Sequence, residues 1–125
     1  MSLTINVEAS GPVRVHLEGR LDSNTAPALD KQLDTILAAA PRAVVFELAK
    51  LEYISSAGLR CIIRVQKAMR EVGGQALVVN PQPTVQKVFD IVKALPTRNI
   101  FRNVQELDEY LDAMQNNVRD QGGKP

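Results

Sequence analysis

The chain has few aromatic residues, a single cysteine and a single histidine, and each scarcity excludes a class of structure or chemistry. None of the 125 residues is Trp and 4% are aromatic, whereas 45% are hydrophobic, so the core has to be aliphatic. The one cysteine, Cys61, excludes an internal disulfide and a cysteine-cluster zinc site. Because a lone thiol suits a reducing compartment, we expect a cytoplasmic protein.

Strong charge and long apolar runs are also absent. The formal net charge is +1 and there is no dense block of Lys or Arg, so no long-range field would attract nucleic acid or an anionic membrane. No apolar run approaches the length that spans a bilayer, and the N-terminus lacks the pattern of a signal peptide. We therefore expect neither direct nucleic-acid binding nor membrane insertion.

Catalytic motifs are missing as well. His16 lies on the polar phase of a predicted strand, far in sequence from the serine pair Ser55 and Ser56, so it is a poor candidate for a base. No phosphate-binding Gly-rich loop, dinucleotide fingerprint or metal-ligand spacing is present. The sequence predicts a protein that is not an enzyme and needs neither metal nor cofactor; a small hydrolase using Ser56 is an alternative that lacks a base.

The hydrophobic pattern predicts an α/β fold. Alternation on both sides of Gly11 and Pro12 indicates a β-hairpin, and the near-continuous apolar run 42–48 indicates a central strand covered on both faces. Residues 75–79 and, at the edge, Ile100 and Phe101 complete the predicted strands. Four stripes with helical spacing follow: Leu29, Leu33, Ile36 and Leu37; Gly58, Cys61, Ile62, Val65, Ala68, Met69 and Val72; Val85, Val88, Phe89 and Val92; Val104, Leu107, Leu111 and Met114.

These elements predict one domain over residues 1–115, with a mixed central sheet, about four helices packed against it, and a flexible tail over 116–125. The order is β-β-α-β-α-β-α, then an edge strand and a closing helix. Asp22, Ser23 and Asn24 offer caps for the first helix, and Gly73 and Gly74 end the second.

The serine pair stands where the second helix should begin. Capping is the simplest explanation, because a serine there accepts a hydrogen bond from a free amide and stabilises the helix by about 1 kcal/mol. Two features exceed what capping needs. Ala57 and Gly58 are small and would let another molecule approach the backbone, and a helix N-terminus suits an added phosphate.

The segment from Val44 to Ile63, VVFELAKLEYISSAGLRCII, resembles the signature of STAS domains, named for sulfate transporters and anti-sigma factor antagonists. The segment from Gly19 to Thr25, GRLDSNT, is similar to their second marker, and the likeness covers about residues 2 to 112. It implies an anti-sigma factor antagonist whose unphosphorylated form binds an anti-sigma factor that is also a serine kinase. Phosphorylation would release that partner, and a serine phosphatase would reverse the modification.

The resemblance also implies which residues act. The phosphoacceptor position falls on Ser56, whereas Ser55 stands where sporulation-type antagonists commonly have Asp and is the alternative acceptor. Asp22 matches the acidic position of the second marker, the segment that in the family lies beside the acceptor. We expect the partner to dock on Asp22, Asn24, Ser55, Ala57, Gly58, Leu59 and Arg60.

Helical spacing places Ser56, Arg60 and Arg64 on one outward face, near Lys67. A solvated basic face explains Arg64 and Lys67, while Arg60 could contact an acidic partner. Because STAS domains also occur in transport assemblies, an accessory subunit of a transport or ligand-handling complex, without a phosphate cycle, is the alternative function.

Overall fold

The computed structural model describes residues 3–9 and 11–93, together with 109, 111, 113 and 115. Within these residues the order is β1 (Leu3–Glu8), β2 (Val13–Leu21), α1 (Ala26–Ala38), β3 (Ala43–Ile54), α2 (Ser56–Glu71), β4 (Gln75–Val79) and α3 (Pro83–Lys93). The strands form one mixed sheet in the order β1-β2-β3-β4. The predicted α/β fold with a mixed central sheet is confirmed.

The sheet begins with the predicted hairpin. β1 and β2 pair antiparallel, with Leu3 opposite Gly19 and Glu8 opposite Arg14. Gly11 has φ +81 in the connecting turn, a conformation that disfavours residues with a Cβ atom. β2–β3 and β3–β4 are parallel pairs, so the chain returns through a helix between each pair.

One face of the sheet packs on the helices. Phe46 and Leu48 of β3 are fully buried and belong to one apolar cluster with residues of α1, α2 and α3. The opposite phase is polar on the first two strands, where Asn6, Glu8 and Glu18 are exposed. Val45 of that phase is buried but lies outside the main cluster. Val44, Val45 and Phe46 are thus buried in succession, so residues of both phases are covered in this part of β3, and its central position is confirmed.

β3 is longer than the sequence pattern indicated. It continues past residue 48 through Leu51 and Tyr53 and ends at Ile54. The extra residues pair with the last part of β2, where Leu21 stands opposite Ile54. As a result the serine pair follows the strand directly.

The second helix ends at its glycines, as predicted. Gly73 has φ +77, and the Gly74 amide donates to the Met69 carbonyl at 2.7 Å. Val72, however, is 75% exposed, because it follows the last helical residue and no longer keeps to the buried stripe.

Several predictions concern the C-terminal part of the chain. The edge strand at Ile100 and Phe101, most of the closing helix and the tail over 116–125 lie outside the described residues. Residues 109, 111, 113 and 115 have helical backbone, and Leu111 belongs to the core. The packed part of the domain therefore reaches at least to residue 115.

Candidate functional site

Ser55 and Ser56 have different structural roles at the start of α2. Ser55 has an extended backbone, with φ −97 and ψ 177, and its Oγ accepts a long hydrogen bond of 3.5 Å from the Gly58 amide. It is therefore the N-cap, while Ser56 is the first helical residue. Because Ser55 serves as the cap, capping does not account for the hydroxyl of Ser56.

Both serines are buried in this conformation. Ser56 has no exposed surface and Ser55 is 6% exposed. Helical spacing predicted that Ser56 lies on an outward face, and the structure corrects this expectation. The physical reason is that β3 extends to Ile54, so the first turn of α2 begins at the edge of the sheet, without an intervening loop to lift it into solvent.

Gly58 and Leu59 serve the core. A Cβ atom on Gly58 would lie 2.5 Å from Cγ of Leu21 and 3.0 Å from Cγ1 of Ile54, so the missing side chain lets α2 approach the ends of β2 and β3. Leu59 is fully buried. Both residues are buried in this conformation and their docking role stays a prediction, while Ala57 is half-buried.

The β2–α1 loop lies beside this helix start. The Ser55 amide donates to the Leu21 carbonyl at 2.9 Å, so the residue that follows β3 is bonded to the residue that precedes Asp22. The Asp22 carboxylate accepts hydrogen bonds from the amides of Asn24 (2.9 Å) and Thr25 (3.1 Å). The structure thus brings together the two sequence segments that carry the predicted site residues.

Within that loop, Asp22 is half-buried and Asn24 is exposed. Thr25 is the N-cap of α1 but makes no side-chain cap bond; its hydroxyl instead donates to the Arg20 carbonyl at 2.9 Å. The N-cap position therefore falls on Thr25 and not on Asp22, Ser23 or Asn24, and the Asp22 carboxylate bonds the amides of the loop.

Arg20 and Tyr53 were missed by the sequence analysis. The Arg20 guanidinium carbon lies 3.9 Å from the centre of the Tyr53 ring, and Arg20 Nε is 4.0 Å from the Asp22 carboxylate. Their strand register places Arg20 opposite Tyr53. The sequence signal for this contact was present in the alternation of β2 and β3, but it required the full length of β3 to be known.

A groove of about 630 Å³ lies between α1 and α2, next to the helix start. Ala57, Arg60 and Lys67 line it from α2, and Asp30 lines it from α1. Nη1 of Arg60 is shielded from solvent and has no hydrogen-bond partner among the described residues. The groove thus offers a cationic donor within one helical turn of Ser56.

Arg64 has a structural partner that sequence spacing could not indicate. Its guanidinium donates to Asp30 at 2.8 Å and to Asp34 at 3.0 Å, and the hydrogen bond to Asp30 is the largest cause that raises its pKa. It therefore ties α1 to α2, which corrects its interpretation as one of two merely solvated cations. Ser56, Arg60 and Arg64 also differ in exposure, since Ser56 is buried, so the outward face begins only at Arg60.

Cys61 lies at the floor of this groove and is 2% exposed. Burial is the main cause that raises the pKa of its thiol to about 12, and a hydrogen bond with Asp30 adds to the effect. Because the thiolate is the reactive form, this thiol is poorly reactive at neutral pH. The burial of Cys61 on the apolar side of α2 agrees with the sequence prediction.

Other features of the described residues bear on the excluded functions. His16 contacts Glu8 on the outer face of the sheet, away from the serine pair. Among the described residues, no group of three or more His, Cys, Asp or Glu side chains could hold a metal ion. No described helix combines the length and the apolar character that crossing a membrane requires.

Gln115 is a further residue that sequence reasoning missed. Its buried side chain bonds both backbone groups of Ile54, the residue immediately before the serine pair. A single Gln near a polar C-terminal segment gave no signal in the sequence, because the contact spans 61 positions.

Comparison with known proteins agrees with this geometry. The STAS domain family model matches residues 4–107. The chain is 36% identical, over 73% of its length and 78% of the relative, to BtrV of Bordetella bronchiseptica, which is provisionally named an anti-sigma factor antagonist.

Two solved structures share the fold. The anti-sigma factor antagonist SpoIIAA in its unphosphorylated form superposes with a TM-score of 0.65 at 19% identity, over 84% of this chain and 97% of that one. Bacillus SpoIIAA in its phosphorylated form gives 0.60 at 22% identity, over 73% and 83%. From the family match and these likenesses, the chain belongs to the STAS domain family.

Proposed function

We propose that the chain is a cytoplasmic anti-sigma factor antagonist that acts by partner switching. In its unphosphorylated form it binds a cognate anti-sigma factor that is also a serine kinase, and so frees the factor's target. Phosphorylation on Ser56 releases the partner, and a serine phosphatase restores binding. The chain itself is not an enzyme and holds no cofactor; the partner supplies ATP and its metal.

The observation that carries this proposal is the meeting of the β2–α1 loop and the start of α2 at one edge of the sheet. Asp22 follows the end of β2, Ser56 follows the end of β3, and the bond from the Ser55 amide to the Leu21 carbonyl joins the two segments. The relative BtrV is provisionally named as an antagonist, and SpoIIAA is known in both phosphorylation states. Both facts support this function for the same fold.

Ser56 is favoured over Ser55 as the acceptor because of their different positions. A phosphate on Ser56 would lie at the N-terminus of a 16-residue helix, where amides and the helix dipole stabilise negative charge. Arg60, one turn along the helix, could donate to the same phosphate through Nη1. Modification of Ser55 would instead remove the cap bond to the Gly58 amide.

The partner surface follows from exposure. Ala57 and Arg60, which are half-buried, line the groove beside the helix start. Asn24 is exposed and Asp22 is half-buried in the β2–α1 loop, whose Ser23 also lines the groove. A partner seated there would meet a phosphate of about −1.5 to −2 charges. If Arg60 turns to that phosphate, its contact with an acidic partner group is lost, and a penalty of about 3 kcal/mol weakens binding about a hundredfold.

Phosphoryl transfer from radiolabelled ATP, catalysed by the anti-sigma factor kinase of the same organism, tests the assignment. We expect label on the wild-type chain and on Ser55→Ala, and none on Ser56→Ala. Thermal melts establish that each variant folds, because Ser55→Ala loses a cap worth about 1 kcal/mol. Label on Ser56→Ala but not on Ser55→Ala would move the acceptor by one residue, and no transfer to any variant would refute the proposed switch.

A further inference from the structure

The side chain of Gln115 forms a buried link between the C-terminal part of the domain and β3. It has no exposed surface. Its Oε1 accepts from the Ile54 amide at 3.0 Å, and its Nε2 donates to the Ile54 carbonyl at 2.8 Å. Nε2 also donates to the Leu111 carbonyl at 3.1 Å, which orients the amide group. One side chain thus satisfies both backbone groups of one strand residue.

The position of this link is explained by the unequal lengths of the strands. β4 pairs with β3 only from Ala43 to Glu47, so the later part of β3 extends past its neighbour. Side-chain amides of described residues bond this open edge: Gln82 donates to the Ala49 carbonyl at 2.9 Å, and Gln115 bonds Ile54. Gln115 therefore acts where a further strand would otherwise pair.

We infer that Gln115 is a positioning residue that holds position 56 in its buried state and thereby limits access to it. Ile54 is fixed on one side by Gln115, and the next residue, Ser55, is fixed on the other side by its bond to the Leu21 carbonyl. Ser56 follows directly and is fully buried. Exposing it requires the end of β3 or the first turn of α2 to move, and the Gln115 link resists that movement.

The consequence for regulation rests on the proposed function. If Ser56 accepts phosphate, the kinase has to capture an opened form, and the strength of the Gln115 link sets the population of that form. Loss of the link would raise this population about tenfold, equivalent to about 1.4 kcal/mol. The C-terminal part of the domain would then control the rate of Ser56 phosphorylation without contacting the partner.

Thiol labelling measures access to position 56 without any kinase. In a Cys61→Ala background, Ser56→Cys provides a single thiol, and its alkylation by iodoacetamide is followed by intact mass. Gln115→Met keeps the side-chain length but removes both hydrogen-bonding functions. We expect it to raise the labelling rate about tenfold, and Gln115→Glu at neutral pH to raise it as well, because a carboxylate cannot donate to the Ile54 carbonyl.

Val88→Ala is the matched control, because Val88 is fully buried on α3 and takes no part in the hydrogen bonds of this link. We expect it to destabilise the fold yet change the labelling rate less than threefold. Amide hydrogen exchange should quicken at Ile54 and Ser55 in Gln115→Met, while Phe46, in the middle of β3, stays protected.

Equal labelling rates with and without the link, or an equal acceleration by Val88→Ala, would overturn the inference. Phosphoryl transfer by the kinase then tests the regulatory consequence, with Gln115→Met expected to be modified faster by a similar factor. Failure of transfer to the wild-type chain would count against the proposed function alone, because thiol labelling does not depend on a kinase.

Discussion

Substitution of Gly58 by Ala tests whether close packing holds the start of α2 against the ends of β2 and β3. The new Cβ atom would lie 2.5 Å from Cγ and 2.8 Å from Cδ2 of Leu21, and 3.0 Å from Cγ1 of Ile54. The shortest contact is to a branching carbon, which cannot swing aside as a side-chain end can. We therefore expect the upper part of the overpacking range, about 3 kcal/mol. Better helix propensity returns about 1 kcal/mol, which leaves a net loss of about 2 kcal/mol.

Urea unfolding of Gly58→Ala, Leu21→Ala and the double variant would measure this. Leu21→Ala alone should cost about 2 to 5 kcal/mol, because it leaves a cavity. In the double variant the methyl group introduced at position 58 occupies part of that cavity, so the combined loss should be smaller than the sum of the two single losses by at least about 1 kcal/mol. Additive losses, or a Gly58→Ala variant as stable as the wild type, would refute the packing argument.

Three further predictions concern other parts of the domain. Arg64→Ala should lower the unfolding free energy measured in urea by about 1 kcal/mol or less, although it removes the ion pairs with Asp30 and Asp34. The reason is that the Arg64 side chain is 43% exposed to screening solvent. A loss above about 2 kcal/mol would contradict this. Burial raises the pKa of Cys61 from 9.0 to about 12, so its contribution to stability is complete below pH 9 and is lost as pH rises toward 12. Between pH 9 and 12 the unfolding free energy of the wild type should fall more steeply than that of Cys61→Ala. Parallel curves of unfolding free energy against pH would contradict the buried, raised-pKa thiol. Removal of residues 116–125 should leave the melting temperature unchanged, and a clear drop would show that the tail packs on the domain.

The fold was predictable because most local signals agree with one another. The hairpin followed from alternation around Gly11 and Pro12, and the end of α2 followed from Gly73 and Gly74. The end of β3 was less predictable. Lys50 and Glu52 interrupt the apolar run, and only pairing with β2 keeps this segment extended to Ile54.

The candidate site was predictable in its location but not in its packing. Motif resemblance named Asp22 and Ser56, and the structure places their segments side by side. Motif resemblance could not show why a glycine stands at position 58. Leu21 lies against that position, and this contact joins distant parts of the chain. The link from Gln115 to Ile54 was hidden for the same reason, because neither residue has a local pattern that indicates the other.

The most direct test of partner switching is the affinity of the anti-sigma factor for the chain before and after modification of Ser56. Isothermal titration calorimetry would be run on the unmodified chain and on chain carrying one phosphate, with its position on Ser56 confirmed by peptide mass. Ser56→Ala, which cannot be modified there, serves as the control and should bind like the unmodified chain. We predict that the phosphate weakens binding about a hundredfold, or about 3 kcal/mol. Equal affinity of the two forms would contradict the switch.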